Sequence, residues 1–225
     1  MLRPLAPVLA LLLLPACADD GGDRLTVLAA SSLQGVVPSL VDGFQGDVDV
    51  AYGSSSRLVA QVRSGAPGDV ILAADDVSLA PLGVPTEPFA TTSMVVAVAP
   101  GNPGGVRSVA DLTRVRTVLA APEVPAGRYA AQVLTRAGVT VRPLSHELDA
   151  RAVVAKVASG EVDAALVYAV DVGGLATVPL AAEHDVQVTY TLAVVKRTAA
   201  ALAFVDFLRT TQGRQVLDAA GLGTP

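Results

Sequence analysis

Strand-like and helix-like segments alternate along this chain from Arg24 onward, and this alternation limits the possible folds more than any other feature. Compact aliphatic runs such as LTVLAA, VDVAY and DVILAA are typical of buried strands. Segments with apolar residues at helical spacing lie between them, such as RLVAQVRSG, which ends at Gly65. Strands that alternate with helices predict an α/β fold with mixed, mostly parallel sheets and right-handed crossovers.

One segment interrupts the alternation and predicts a second lobe. TTSMVVAVAPGNPGG combines a long apolar strand with a Gly/Pro turn, as expected where a chain crosses between lobes. The second lobe would contain helices from about Ala126 to Ala137 and from Ala150 to Ser159, and Asp149 is placed to cap the latter. VQVTYTLAVV is the predicted return crossing, before two C-terminal helices that would pack on the first lobe. The predicted lobes are residues 24–88 with 190–225 for lobe 1, and 89–189 for lobe 2.

The first residues predict export. An early arginine is followed by an apolar run from Leu5 to Leu14 and by the small-residue site Leu14-Pro15-Ala16-Cys17, which is the pattern of a signal peptide. The run is too short to span a bilayer, which takes about 20 apolar residues. The same site resembles the lipobox of bacterial lipoproteins, whose cysteine carries the lipid. We expect removal of residues 1–16, a tether over 17–23, and acylation of Cys17 that holds the protein at the outer face of the cell membrane or in the periplasm; secretion without a lipid is the alternative.

Composition excludes several classes of function. Cys17 is the only cysteine, so the chain can form neither an intramolecular disulfide nor a metal site or catalytic thiol based on cysteine. The chain has 16 basic and 21 acidic side chains, and no basic stretch indicates nucleic-acid binding. It lacks the phosphate-binding loop of an ATPase. Lys156 and Lys196 have no evident activating environment, so we expect no enzymatic activity.

Small and hydroxyl-bearing residues recur where a predicted strand is followed by a helix. A helix N-terminus presents unpaired N–H groups and about half a positive charge, so it can bind an anion without a charged side chain. In doubly wound sheets such helix starts gather at the carboxyl ends of the strands. Ser32, Ser55, Ala126 and Ala150 occupy four of these junctions. Taken singly, each junction is more simply an ordinary helix start, with the serines as N-caps.

Several segments, in this order, closely resemble the molybdate-binding proteins of bacterial ABC importers. They are LTVLAASSL, YGSSSRLVAQVRSGAPGDVILAADD, VVAVAPGNP, APEVPAGRYA and ARAVVAKVASGEVDAALVY. The resemblance extends from about Leu25 to the C-terminal helices. It implies a two-lobed fold like that of the type II periplasmic binding proteins, with two hinge crossovers and a ligand that is buried when the lobes close.

The resemblance also implies a set of ligand contacts. In that family two serines, two backbone amides and a tyrosine hydroxyl hold the oxyanion. The matching positions here are Ser32, Ser55, Ala126, Ala150 and Tyr168. Ser31 stands where the family often has alanine and is a candidate additional donor.

Every implied contact is a hydrogen-bond donor, which suits a fully deprotonated dianion. Hydrogen phosphate would bury a proton without an acceptor, at a cost of about 1 to 3 kcal/mol. Molybdate is the ligand that the resemblance implies, while tungstate or sulfate on the same fold, or an oxyanion sensor outside transport, remain alternatives. The implied partners are an ABC permease and its ATPase; we expect a monomer with no cofactor and no metal cation.

Charged residues near the predicted strand ends are the remaining candidates. Asp69, Asp75 and Asp76 could form a metal or acid/base site, but carboxylates at strand ends more often cap the next helix or face solvent. Arg128 and Arg151 are expected to be solvated or paired with acidic side chains rather than to contact the anion.

Overall fold

The computed structural model describes residues 24–225. The predicted signal peptide (1–16), Cys17 and the tether (17–23) lie outside the described residues. The strands are β1 (Leu25–Ala30), β2 (Val48–Gly53), β3 (Val70–Ala73), β4 (Thr86–Thr92), β5 (Met94–Val98), β6 (Leu119–Ala120), β7 (His146–Glu147), β8 (Ala164–Tyr168), β9 (Thr177–Pro179) and β10 (Val188–Val194). The α-helices are α1 (Val37–Phe44), α2 (Ser55–Arg63), α3 (Pro125–Arg136), α4 (Ala150–Ala158), α5 (Ala199–Arg209) and α6 (Thr211–Ala219).

The first sheet has the strand order β2-β1-β3-β10-β4 and combines two distant parts of the chain. β1 pairs in parallel with β2 and β3, whereas β10 is antiparallel to β3 and β4. Leu28 and Ile71 pack beneath α2 on one face of the sheet. Val27 and Leu72 belong to the larger core, which also includes residues of α1, α5 and α6. β3 is buried along its whole length, which explains its uninterrupted apolar sequence.

The second sheet has the order β8-β5-β9 and lies beside a two-stranded parallel pair, β6-β7. β5 is antiparallel to both β8 and β9. The sheets are therefore mixed, as predicted, but the expectation that they are mostly parallel is wrong. The physical reason is that β5 and β10 carry the chain from one sheet to the other, and each pairs antiparallel with its neighbours in the sheet that it enters. The helices α3 and α4 pack on this second layer.

The chain leaves the first sheet at Ser93, because β4 ends at Thr92 and pairs with β10 while β5 begins at Met94 and pairs with β8. The apolar run that predicted one long crossing strand is thus divided into two. The chain returns to the first sheet with β10 at Val188. We propose to divide the lobes at these crossings, so that lobe 1 comprises 24–92 with 188–225 and lobe 2 comprises 93–187. None of the helices within residues 24–225 is both long and apolar enough to cross a membrane.

Gly213 lies in the first turn of α6, where an added methyl group would collide with main chain. A Cβ there would be 2.2 Å from the Phe207 carbonyl oxygen and 3.0 Å from the Leu208 Cα, whereas a Cβ at Gly35 would meet nothing within 4 Å. We expect Gly213→Ala to lower the free energy of unfolding by about 1 to 3 kcal/mol. The control, Gly35→Ala, should leave the free energy of unfolding unchanged or raise it slightly. Urea denaturation followed by circular dichroism measures both, and a Gly213→Ala variant as stable as the wild type would contradict this packing of α6.

Candidate functional site

A small cavity lies between the two lobes, where β1, β2 and β3 end. Lobe 1 lines it with Ala30, Ser31, Ser32, Ser54, Ser55 and Ala74. Lobe 2 lines it with Val124, Pro125, Ala126, Asp149, Ala150 and Tyr168. The carboxyl ends of the strands are where α/β sheets of this kind bind ligands. The structure thus brings the six residues that the sequence proposed as donors, Ser31 included, to one cavity.

The cavity is small enough to restrict the kind of ligand. The cavity has a volume of about 10 Å³. A cavity of this size suits a compact ligand.

The serines at the ends of β1 and β2 do not act as helix caps. Ser32 lies in a short 3-10 helix, Ser31–Leu33, and Ser55 is the first residue of α2; neither helix has a side-chain cap. Instead, Ser55 Oγ accepts a hydrogen bond of 3.0 Å from the Ala74 N–H. Ser32 Oγ accepts one of 2.8 Å from the Tyr190 hydroxyl. Both serines are buried, and each keeps its own proton available for another acceptor.

Two helices begin at the cavity in lobe 2. α3 starts at Pro125, which has no N–H to satisfy, and is followed by Ala126, whose N–H has no acceptor among residues 24–225. The Asp149 side chain caps α4 by accepting from the Ala152 N–H at 2.9 Å, so the predicted role of Asp149 is confirmed. This cap leaves the N–H of Ala150 without an acceptor in the described part of the chain. Each helix start therefore directs a free amide at the cavity.

Gly127 allows α3 to begin close to the end of β6. A Cβ at this position would be 2.0 Å from the Ala121 carbonyl oxygen and 2.7 Å from the Ala120 carbonyl oxygen. Both oxygens belong to main chain at the end of β6, which cannot move aside as a flexible side chain could. Gly127 permits this close approach of α3 to β6, and the approach determines where the Ala126 amide lies.

The Tyr168 hydroxyl is a buried polar group without a partner. Tyr168 ends β8, its side chain is fully buried, and its Oη has no hydrogen-bond partner among residues 24–225. Burial raises the pKa of this phenol well above its ordinary value, so it stays protonated and can donate. An unsatisfied buried hydroxyl costs about 1 to 3 kcal/mol, and a ligand acceptor in the cavity would remove that cost.

Tyr190 is the residue near the cavity that sequence reasoning missed. It lies on β10, is fully buried, and its ring centroid is 6.1 Å from that of Tyr168. Its hydroxyl reaches Ser32 across the first sheet. The only sequence signal was a tyrosine in the return strand, and its spacing gives no indication of a contact with β1.

Arg128 joins the two lobes beside the cavity. From α3, its guanidinium donates to Asp75 Oδ2, with Nε at 2.9 Å and Nη2 at 2.5 Å, and to Ser78 Oγ at 2.7 Å. Ser56 Oγ makes a second connection, since it donates to the Glu123 carbonyl oxygen at 2.7 Å. Arg128 is therefore paired with an acidic side chain, as expected, and does not line the cavity.

Arg151 makes a comparable connection elsewhere on the cleft. Its Nη1 lies 2.7 Å from Asp171 Oδ1, and its Nε donates to Gln34 Oε1 in lobe 1 at 3.4 Å. The Asp171 side chain is buried, and its Oδ2 has no partner within residues 24–225. Burial raises the pKa of Asp171 to about 7, because the half-exposed Arg151 offsets only part of the desolvation of the carboxylate.

The carboxylates of Asp69, just before β3, and Asp75, just after it, are used structurally. Asp69 accepts from the Thr26 N–H at 2.7 Å, and Asp75 accepts from the Ser78 N–H at 3.0 Å besides pairing with Arg128. In the part of the chain that the structure describes, no three or more His, Cys, Asp or Glu side chains are grouped to hold a metal ion.

Two α/β lobes with a donor-lined cavity between them define a solute-binding protein. A model of the family described as bacterial extracellular solute-binding protein matches residues 25–223, and the chain belongs to this family. The molybdate-binding protein ModA of Mycobacterium tuberculosis is 36% identical over 232 residues, covering 94% of this chain and 88% of that protein. ModA of Escherichia coli is 30% identical, covering 92% of this chain and 90% of that protein.

The fold has a counterpart among solved structures. The periplasmic molybdate-binding protein of Azotobacter vinelandii matches with a TM-score of 0.76 at 21% identity, covering 89% of this chain and 99% of that one. The predicted two-lobed fold of the periplasmic-binding-protein class is thereby confirmed, as is the similarity to molybdate-binding proteins noted from the motifs.

Asp171 gives the stability of the fold a pH dependence. The folded-state pKa is about 7, against 3.8 for an ordinary aspartate. As the pH rises, the unfolded chain loses this proton first, so the free energy of unfolding falls by up to roughly 1.4 kcal/mol per pH unit between about pH 4 and 7. Asp171→Asn removes this titration, and urea denaturation at several pH values should show a shallower fall than in the wild type. Equal slopes for both proteins would contradict the buried, titrating carboxyl.

Proposed function

We propose that this protein captures molybdate in the cleft between its lobes and delivers it to an ABC permease, with transport driven by a separate ATPase. One observation carries the proposal: the fully buried Tyr168 hydroxyl has no partner among residues 24–225 and lines the same cavity as two helix starts with free amides. Donors without acceptors are what an oxyanion satisfies. The name of the 36% identical relative supports molybdate as the anion.

The proposed contacts are neutral. The Ser32 and Ser55 hydroxyls would donate from lobe 1, and the Ala126 amide, the Ala150 amide and the Tyr168 hydroxyl from lobe 2. Ser31, which is also buried and lines the cavity, is an additional candidate. Asp149 is the one charged residue of the lining among residues 24–225, and its carboxylate accepts a hydrogen bond from the Ala152 N–H. Donors held in place at contact distance can bind a dianion although the chain has a formal net charge of −5, because exposed charges are screened over about 8 Å.

The choice among dianions follows from size. Molybdate, tungstate and sulfate are all tetrahedral and carry the same charge. Tungstate closely matches molybdate in size, so we propose that it also binds. Sulfate is smaller, and its oxygens could reach fewer of the donors on opposite lobes at once. Weaker binding of sulfate is therefore part of the proposal.

Export and anchoring complete the proposed role. The family is described as extracellular, which indicates a location outside the cytoplasm. We propose that residues 1–16 are removed and that a lipid on Cys17 holds the protein at the outer face of the membrane, near its permease. Mass spectrometry of the protein from membranes would show a lipid-sized mass increase on the peptide that begins at Cys17; an unmodified Cys17 would contradict the anchor.

Ligand entry then requires the lobes to separate, since the proposed donors come from both lobes and are buried. The Arg128–Asp75 pair and the hydrogen bond from Ser56 to Glu123 both connect the lobes and would be lost on opening. We expect Arg128→Gln to weaken molybdate and tungstate binding by the same factor, on the order of tenfold, because it destabilises the closed form and leaves the cavity intact. Calorimetric titration measures both constants; a change confined to one anion would contradict a role in closure.

The ligand itself is tested by titrating the protein with molybdate, tungstate and sulfate in a calorimeter. Molybdate should bind, with sulfate weaker. Sulfate binding as tight as that of molybdate would refute molybdate specificity, and no binding of any of the three would refute the proposed function.

The donors are tested with two variants. Ser55→Ala and Tyr168→Phe should each lower the affinity for molybdate by about 1 to 3 kcal/mol, because each leaves an oxygen of the ligand without a donor. Ser64→Ala, at the exposed end of α2, and Tyr52→Phe on β2 are matched controls that should leave it unchanged. Wild-type affinity in both test variants would show that the assigned residues are wrong.

A further inference from the structure

Each serine hydroxyl of the cavity can donate or accept a hydrogen bond, and its orientation determines which anions it can bind. A serine hydroxyl has one proton and two lone pairs, so an unrestrained serine can turn to donate to a bare oxygen or to accept from a protonated one. A cavity with freely turning serines would therefore admit both deprotonated and protonated oxyanions. Selection against a protonated anion requires the serines to be held as donors.

Ser55 is held as a donor by the main chain. The Ala74 N–H lies 3.0 Å from Ser55 Oγ. An amide N–H can only donate, so Ser55 Oγ must accept at this contact and keeps its proton for another direction. Ser55 lines the cavity and is buried, and its proton has no acceptor among residues 24–225, so a ligand in the cavity is the partner left for it.

At Ser32 the donor is a side chain, that of Tyr190, where at Ser55 it is the Ala74 amide. The Tyr190 hydroxyl lies 2.8 Å from Ser32 Oγ, and both residues are buried. Ser32 Oγ is the only hydrogen-bond partner of this hydroxyl within residues 24–225. If Ser32 donated to Tyr190, the tyrosine proton would be buried without an acceptor, at a cost of about 1 to 3 kcal/mol. The favoured arrangement has Tyr190 donating to Ser32, whose own proton then points to the cavity.

We infer that Tyr190 is a positioning residue that fixes Ser32 as a donor and thereby raises the preference of the cavity for fully deprotonated oxyanions over protonated ones. The inference rests on the proposed function, since it concerns the same anion site. Tyr190 does not line the cavity, and it acts only through Ser32. The two serines are thus held as donors in the same way, one by a main-chain amide and one by a phenol.

Tyr190→Phe tests the inference because it removes the hydroxyl and keeps the ring. The centroid of this ring lies 6.1 Å from the ring centroids of both Phe89 and Tyr168. Molybdate and inorganic phosphate are the probes, at a mildly alkaline pH where phosphate is the singly protonated dianion and equals molybdate in charge. The measured quantity is the ratio of the phosphate to the molybdate dissociation constant. We expect this ratio to fall on the order of tenfold in Tyr190→Phe, since Ser32 becomes free to accept the phosphate proton.

Tyr129→Phe is the matched control. Its ring centroid lies 6.2 Å from that of Tyr168, and its hydroxyl has only a long contact, 3.5 Å, with the Thr189 N–H. The ratio should stay at the wild-type value in this variant. Ser32→Ala is a second background, in which adding Tyr190→Phe should no longer change the ratio because the hydroxyl that it releases is absent.

The outcomes separate this inference from the proposed function. Failure of the wild type to bind molybdate would refute the proposed function. Wild-type binding together with an unchanged ratio in Tyr190→Phe, or with equal losses of affinity for both anions, would overturn the inference and leave Tyr190 a packing residue. A change of ratio that persists in the Ser32→Ala background would also overturn it.

Discussion

A buried hydrogen-bond donor without an acceptor costs about 1 to 3 kcal/mol, and this protein gathers such donors at one cavity between its lobes. The Tyr168 hydroxyl has no partner among residues 24–225, and the Ala126 and Ala150 amides begin helices where no preceding turn can accept from them. Lobe 1 adds two serines whose oxygens each accept one hydrogen bond from a protein donor. Neither lobe alone lines the cavity, so a site of this kind requires the crossings near Ser93 and Val188 that bring the sheets together.

The charged residues near the cleft are used differently from the donors. Arg128 and Arg151, either of which could attract an anion, are paired with Asp75 and Asp171. Their positive charges are therefore paired in contacts within and between the lobes, while neutral donors face the cavity. This separation lets the protein select a ligand by geometry and protonation state. An arginine without an acidic partner would bind many anions whatever their geometry or protonation state.

The sequence predicted the regular part of the fold because its signals are local. Apolar spacing predicts the buried strand β1 and the helix α4. The Asp149 cap of α4 follows from a contact between residues close in sequence. The resemblance named the residues that line the cavity. The contact between Tyr190 and Ser32 joins positions 158 residues apart and depends on how β10 enters the first sheet, which no local pattern encodes. Strands of two or three residues, such as β7 and β9, are likewise too short to show a period.

The central claim, that donors from both lobes hold an oxyanion, is tested most directly by crystallising the protein with molybdate and measuring anomalous scattering at the molybdenum absorption edge. We predict one peak inside the cavity, with ligand oxygens within about 3.2 Å of the Tyr168 hydroxyl and of the Ala126 and Ala150 amide nitrogens. A molybdenum peak outside the cavity, or one held by Arg128 or Arg151 in place of these donors, would contradict it.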